Sequence, residues 1–353
     1  MKPSFSMLLL KWNRRENKRK MPWKGEKDPY KIWLSEIILQ QTRVEQGWAY
    51  YERFIKAYPN IRKLAAAPDE EVFKLWEGLG YYSRCKNLLS TARKVVEQYK
   101  GIFPQEYEEI KALKGIGPYT AAAITSFAYN KPYAVVDGNV QRVISRYFGI
   151  TTPIDTSSGK KLYEKLAQEL LDKKEPAIYN QAIMDFGATI CKPQLPLCDV
   201  CPQVKDCQAF KLDAIKTLPI KEKSIAKKDR RLIYYILIWN KKFVYVRKRV
   251  EKDIWQNLHE FVLQEQNSTG DIAKTASEFL QKYIGNKAFI IGSISPKFKQ
   301  QLTHQTITGH FVIVHIESKL AKPGDYQLVQ KGQLRQLAFP RFINQYFETS
   351  AEI

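Results

Sequence analysis

Apolar residues recur at helical spacing through the first part of the chain and alternate in its last third, which predicts a helical region followed by one that contains strands. Within residues 29–57, Trp33, Ile37, Val44, Trp48 and Tyr51 form one stripe, and Asp28-Pro29 just ahead of them is a helix start. A second helix is predicted from Pro118, set in its first turn, to the Asn130-Lys131-Pro132 stop. The apolar run 133–136 then leads to Asp137-Gly138-Asn139, where a further helix can start. From there the chain reads as helical to about Ile190, with residues 156–171 amphipathic and NQAIMDFGA at 180–188. RLIYYILIWNKKFVYVRKR alternates around Asn240-Lys241-Lys242 as a hairpin, residues 275–284 fit a helix, and HFVIVHIE reads as another strand. The second half is α+β.

At 353 residues the chain is long enough for two or three domains, each with its own core. Its 57 Lys and Arg against 36 Asp and Glu leave a formal charge of +21, which favours a polyanionic partner without separating DNA from RNA. Basic residues concentrate in 11–24 around Trp12 and Trp23, and again in 216–231, which reads as a linker. No apolar run of about 18 residues occurs, and residues 7–10 are too short for the core of a signal peptide. A soluble, cytoplasmic protein is expected, nucleoid-associated if bacterial, with no membrane partner. Of five cysteines, four lie between 191 and 207, which in a reducing compartment points to metal rather than disulfides. Cys85 stands apart and fits simple packing.

Three features carry chemistry. Gly115 and Gly117 permit a tight turn with positive φ ahead of Pro118, and the unpaired N–H groups of the following helix would attract phosphate. Asp137 sits at a helix mouth, which is expected to keep it ionised. Glu36 interrupts an apolar neighbourhood flanked by Ile32 and Leu39, and desolvation there would raise its pKa and hold a proton near neutrality. Each feature alone also fits an ordinary corner, cap or solvated charge.

Taken together, L-K-G-I-G-P-Y-T-A at 113–121, V-D-G-N-V at 136–140 and W-L-S-E-I-I-L-Q-Q-T at 33–42 resemble the helix-hairpin-helix family of DNA glycosylases. Members that also cut the strand carry a lysine where this chain has Tyr119, and tyrosine cannot form the Schiff base such a lyase needs. Tyr119 with D-G-N is similar to the MutY-type adenine DNA glycosylases. The resemblance implies a mainly α helix-hairpin-helix glycosylase fold of two lobes, one carrying a [4Fe–4S] loop, followed by an α+β Nudix-like domain. It implies removal of adenine mispaired with 8-oxoguanine or guanine in double-stranded DNA by a monomer. Glu36 would be the general acid and Asp137 the group that stabilises the sugar cation, with Tyr119 and Asn139 orienting it. Arg19, Met21, Trp23 and Gln181 would line the adenine pocket. Gly115 and Gly117 would grip phosphate, Gln41 and Tyr81 would enter the base stack at the lesion, and Arg84 would lie near phosphate. Cys191, Cys198, Cys201 and Cys207, spaced C-x6-C-x2-C-x5-C, match the family's cluster loop rather than the paired short knuckles of zinc.

Two departures stand out in the second half. No R-E-x-x-E-E string occurs between 251 and 291, so Nudix hydrolysis is not expected. The loop expected to recognise 8-oxoguanine reads Leu302-Thr303-His304 instead of Phe-Ser-His. The expected boundaries are 1–215 for the helical glycosylase domain (24–131 as the helix-hairpin-helix lobe, 1–23 with 132–215 as the iron–sulfur lobe), 216–231 for the linker and 232–348 for the Nudix-like domain. Alternatives are a related glycosylase that acts on thymine in T:G pairs and a non-catalytic iron–sulfur DNA-binding protein.

Overall fold

The computed structural model describes residues 2–222, 227–266, 270–285, 287–321 and 323–350. Contacts sort the chain into two compact units, one of Met1–Ala67 with Lys86–Lys223 and one of Pro68–Cys85 with Ser224–Ile353. Residues 223–226 of the expected linker lie outside the described residues.

The first unit is helical. Asp28 caps the helix Pro29–Leu39, its carboxylate accepting the Tyr30 N–H at 2.9 Å. The helix Pro118–Tyr129 ends where expected, on Asn130 in the left-handed region. The stretch expected to be helical from 137 to 190 is instead three helices, Gly138–Phe148, Ser157–Leu170 and Pro176–Thr189. Gly149, with φ at +67°, ends the first; the Thr156 hydroxyl caps the second by accepting the Gly159 N–H; Pro176 opens the third. Together with the N-terminal helix Lys2–Arg15 they enclose one core. Phe5, Leu9 and Trp12 pack there against Val143, Ile144, Tyr147, Tyr163, Tyr179 and Phe186. Trp12 meets Phe186 edge-on at 5.0 Å between ring centres. Burying each such side chain contributes roughly 1.5–3 kcal/mol as an upper bound, so the N-terminal helix is held by packing and not by propensity alone.

The second unit is built on a mixed sheet. Strands β1 (Lys228–Trp239) and β7 (Gln305–Ile316) run parallel through its centre, from Lys228 opposite Gln305 to Trp239 opposite Ile316. Beside β1 lie β2 (Phe243–Lys248) and β4 (Val262–Gln266), both antiparallel to it; β3 (His259–Glu260) and β8 (Gln327–Gln330) pair with β2, and β5 (Phe289–Ile294) and β6 (Phe298–Gln301) pair with β7. The β1–β2 connection is the expected hairpin, with Asn240 and Lys241 at positive φ. The helix Ile272–Ile284 covers one face through Ala276, Leu280 and Ile284.

β1 starts earlier than its apolar pattern suggests. Arg230, expected in the linker, is 8% exposed and ion-paired with Asp253 at 2.8 Å and Glu265 at 2.7 Å. Glu260 is fully buried and accepts from both Arg247 and Arg249. Residues 68–85, expected in the helical lobe, belong to this unit: Lys248 pairs with Glu70 at 2.7 Å, Lys74 donates to the Leu337 carbonyl, and the Phe339 N–H donates to Glu77.

Candidate active site

A cavity of about 500 Å³ opens in the first unit, and Glu36, Tyr119, Asp137 and Asn139 all line it. Glu36 arrives on the helix Pro29–Leu39, where Trp33, Leu34, Ile37 and Ile38 are all buried. Its side chain is 6% exposed, and burial, with a further push from Asp137, raises its carboxyl to about 7. The Tyr119 hydroxyl donates to Glu36 Oε2 at 2.7 Å and opposes that rise. Tyr119 was expected to orient Asp137. It holds Glu36 instead, and burial beside two carboxyl groups lifts its own pKa well above the ordinary tyrosine range.

Asp137 caps the helix Gly138–Phe148, with Oδ1 accepting the Val140 N–H at 2.7 Å and Oδ2 accepting the Asn139 amide at 2.6 Å. Cap donors alone would lower its pKa. Burial outweighs them, and the carboxyl stands above its ordinary value, the opposite of what the helix mouth alone predicts. Asn139 is fixed in turn, because Arg142 donates to its Oδ1 at 2.8 Å and also to the carbonyls of Gly187 at 2.7 Å and Cys191 at 2.8 Å. At Gly187 an added Cβ would lie 2.7 Å from Asn139 Cβ, so this glycine lets the helix Pro176–Thr189 approach the Asp137 cap.

Arg19, Met21, Trp23 and Gln181, the expected adenine-pocket residues, line the same cavity. Arg19 and Gln181 share an anchor that the sequence did not announce. Asp185 is fully buried and accepts from Asn17 at 2.8 Å, Arg19 at 2.9 Å, Lys24 at 2.8 Å and Gln181 at 3.0 Å. An acid on a helix ordinarily reads as a solvated charge, and these donors lie as far as 168 residues away in sequence.

The four cysteines gather on the loop after Pro176–Thr189. Burial raises the thiols of Cys198, Cys201 and Cys207, Cys201 to about 12, and the neighbouring cysteine sulfurs add to each rise. Arg146, 2% exposed, reaches Cys191 Sγ at 3.6 Å and donates to the carbonyls of Lys192 and Pro193. Four thiols within electrostatic reach of one another, with a cation beside them, fit a group held by thiolates. Among the described residues, no three His, Cys, Asp or Glu side chains converge as a site for a single metal ion.

The expected DNA contacts fall into three places. Gly115 takes φ of +79°, and an added Cβ would meet Asn87 Cβ at 2.7 Å, so both conformation and space require glycine. Gly117 differs from expectation: its φ is −91°, and it is the N-cap of Pro118–Tyr129, with open space where a Cβ would stand. Gln41 is exposed at φ of +57°. In the second unit Tyr81, 40% exposed at φ of +48°, hydrogen-bonds through its hydroxyl to Thr303 Oγ1. Arg84 is not a surface contact. It is 8% exposed, donates to the Leu79 and Gly80 carbonyls and lies 5.1 Å over the Trp76 ring, so it braces the turn that presents Tyr81. Leu302 is half-buried, and Thr303 and His304 are exposed between β6 and β7.

Residues 34–173 match the HhH-GPD superfamily of base excision DNA repair proteins, and residues 234–349 match the NUDIX domain. An adenine DNA glycosylase of Buchnera aphidicola subsp. Baizongia pistaciae is 33% identical over 307 residues, 86% of this chain and 84% of that protein. The adenine DNA glycosylase of Mus musculus is 43% identical over 217 residues, 59% of this chain and 42% of that longer protein. The structure of a thermostable thymine-DNA glycosylase is similar at 31% identity and a TM-score of 0.56, over 60% of this chain and 97% of that one. Among the described residues no helix is long and apolar enough to cross a membrane. A helical repair domain, a NUDIX domain and sequence relatives named as adenine DNA glycosylases lead to a single assignment. The chain belongs to the MutY-type adenine DNA glycosylases, base-excision-repair enzymes that act on DNA and hydrolyse an N-glycosidic bond.

Proposed function

We propose that this enzyme removes adenine paired with 8-oxoguanine, or with guanine, from duplex DNA and leaves the strand uncut. The reading is carried by two carboxyl groups of different environment on one cavity, the buried Glu36 raised to about 7 and the half-buried Asp137 tied by a helix N–H and an amide. Glu36 Oε2 is taken by Tyr119, and Oε1 has no protein hydrogen-bond partner among the described residues. Glu36 holds a proton near neutrality and delivers it from Oε1 to N7 of the flipped adenine, so the base leaves neutral. Positive charge then develops on the sugar. Asp137, held by Val140 and Asn139, stabilises or captures that cation before water completes hydrolysis. Tyr119 contains no amine, which supports base removal without strand cleavage.

Cys191, Cys198, Cys201 and Cys207 would hold a [4Fe–4S] cluster, with Arg146 offsetting its negative charge. When bound, the cluster supplies iron–thiolate bonds that tie the 191–207 loop together. Gly115 and Gly117 with the N-terminus of Pro118–Tyr129 would take DNA phosphate, and Gln41 and Tyr81 would enter the base stack. Leu302, Thr303 and His304 would meet the damaged guanine. The likeness to a thymine-DNA glycosylase supports a second reading, thymine removal from T:G pairs.

Duplexes containing A:8-oxoguanine or T:G, incubated with the protein and then heated in alkali, separate these readings. A cut at adenine only after alkali is expected. Scission without alkali, or a faster cut at thymine, would overturn the proposal.

A further inference from the structure

We infer that Asp185 fixes the hydrogen-bonding polarity of Gln181 in the cavity, and thereby makes the site select a purine bearing an amino group over one bearing an oxo group at position six. The inference deepens the proposed reading and rests on adenine entering this cavity. Gln181 and Asp185 stand one turn apart on Pro176–Thr189, and Gln181 Nε2 donates to Asp185 Oδ1 at 3.0 Å. Asp185 is fully buried and takes two cations, Arg19 and Lys24, besides the Asn17 amide, so it acts only as an acceptor.

A glutamine amide left alone can turn over and offer either end. Here a turned amide would set its carbonyl against a carboxylate already held in place from three other directions. The Nε2 end is therefore committed to Asp185. Oε1 has no protein partner among the described residues, and Gln181 lines the cavity, so the site presents an acceptor. The six-amino group of adenine satisfies that acceptor. Hypoxanthine, with the same N7 for Glu36 to protonate, would set its six-oxygen against Oε1, and a site built around one hydrogen bond rejects the partner that cannot make it. Asp185 touches no substrate in this scheme. It is a positioning residue for Gln181.

The test is single-turnover excision of adenine, hypoxanthine and unsubstituted purine, each opposite 8-oxoguanine. The wild type should favour adenine over hypoxanthine by on the order of a hundredfold. Asp185→Asn, whose side chain can donate or accept, lets the Gln181 amide turn, and the adenine-to-hypoxanthine ratio should narrow by about tenfold while the adenine-to-purine ratio moves less. Gln181→Leu should narrow the ratio as far, and adding Asp185→Asn to it should change the ratio no more. Asp185→Asn leaves Arg19 and Lys24 without their counter-charge, so a measurement on the wild type guards against its failure to fold. The Gln181 side-chain NH2 signals, assigned by their loss in Gln181→Leu, should be protected from exchange with water. Fast exchange of that amide, or an unchanged ratio in Gln181→Leu, or an Asp185→Asn variant that slows all three bases alike, would overturn the inference while leaving the proposed function standing. A wild type that removes no adenine would overturn both.

Discussion

The Tyr119 hydroxyl and Glu36 Oε2, 2.7 Å apart, form a hydrogen bond that restrains the effect of burial on the glutamate. Removing the donor as Tyr119→Phe should raise the Glu36 pKa further above 7. The rate of adenine excision, which needs the protonated glutamate, should fall with rising pH through about 7 in the wild type and at higher pH in the variant. A pH profile whose falling limb stays in place or moves to lower pH would show that Tyr119 does not tune this group.

Glu36 also makes stability depend on pH. Its ordinary value of 4.5 becomes about 7 in the folded chain, so its contribution is fully present below 4.5 and is lost as pH rises through 7. The difference amounts to about 3 kcal/mol. Glu36→Gln keeps an acceptor for Tyr119 and has no charge to bury. It should unfold at nearly the wild-type denaturant midpoint near pH 4.5 and be up to about 3 kcal/mol more stable at pH 8. A gap of equal size at both pH values would contradict the assignment.

Gly187→Ala should act on the chemistry without touching DNA. The new Cβ would fall 2.7 Å from Asn139 Cβ, so the Asp137 cap or the helix behind it must shift. A loss of roughly 1–3 kcal/mol in stability is expected, with a drop in single-turnover rate larger than any change in DNA affinity. Wild-type rate at wild-type affinity would show that the Asp137–Asn139 contact tolerates the shift.

Metal content tests the cysteine loop. Anaerobically prepared protein should be brown and contain about four irons per chain. Cys198→Ala should lose iron and bind duplex DNA more weakly. A colourless protein holding one zinc would refute the cluster.

For the 302–304 loop, Thr303→Ala with His304→Ala should erode the preference for A:8-oxoguanine over A:G. Each neutral hydrogen bond lost is worth about 0.5–1.5 kcal/mol, so the ratio of the two rates should fall by roughly tenfold. Equal ratios in the double variant and the wild type would assign these residues to the turn alone.

Glu36, Tyr119, Asp137 and Asn139 were legible because each lies within a short motif whose spacing is local. Their division of labour was not. Whether Tyr119 holds Glu36 or Asp137 depends on how Pro29–Leu39 meets Pro118–Tyr129, a packing relation no local window contains. Asp185 and Arg142 escaped for the same reason, since several of their partners come from other helices or loops. The resemblance alone set Arg84 near phosphate, and no local pattern shows that it is buried over Trp76. The start of β1 was hidden by its polar residues, Lys228 to Arg231, whose strand geometry comes from pairing with β7 and whose Arg230 is neutralised by acids far along the chain.

The Lys228 N–H donates to the His304 carbonyl at 2.9 Å, so the residue that begins β1 also fastens the end of the 302–304 loop. The first rung of the sheet's central pair and the loop proposed to inspect the damaged base thus share one anchor. Removing that one N–H would loosen the loop at its end while leaving the β1–β7 pairing beyond it in place.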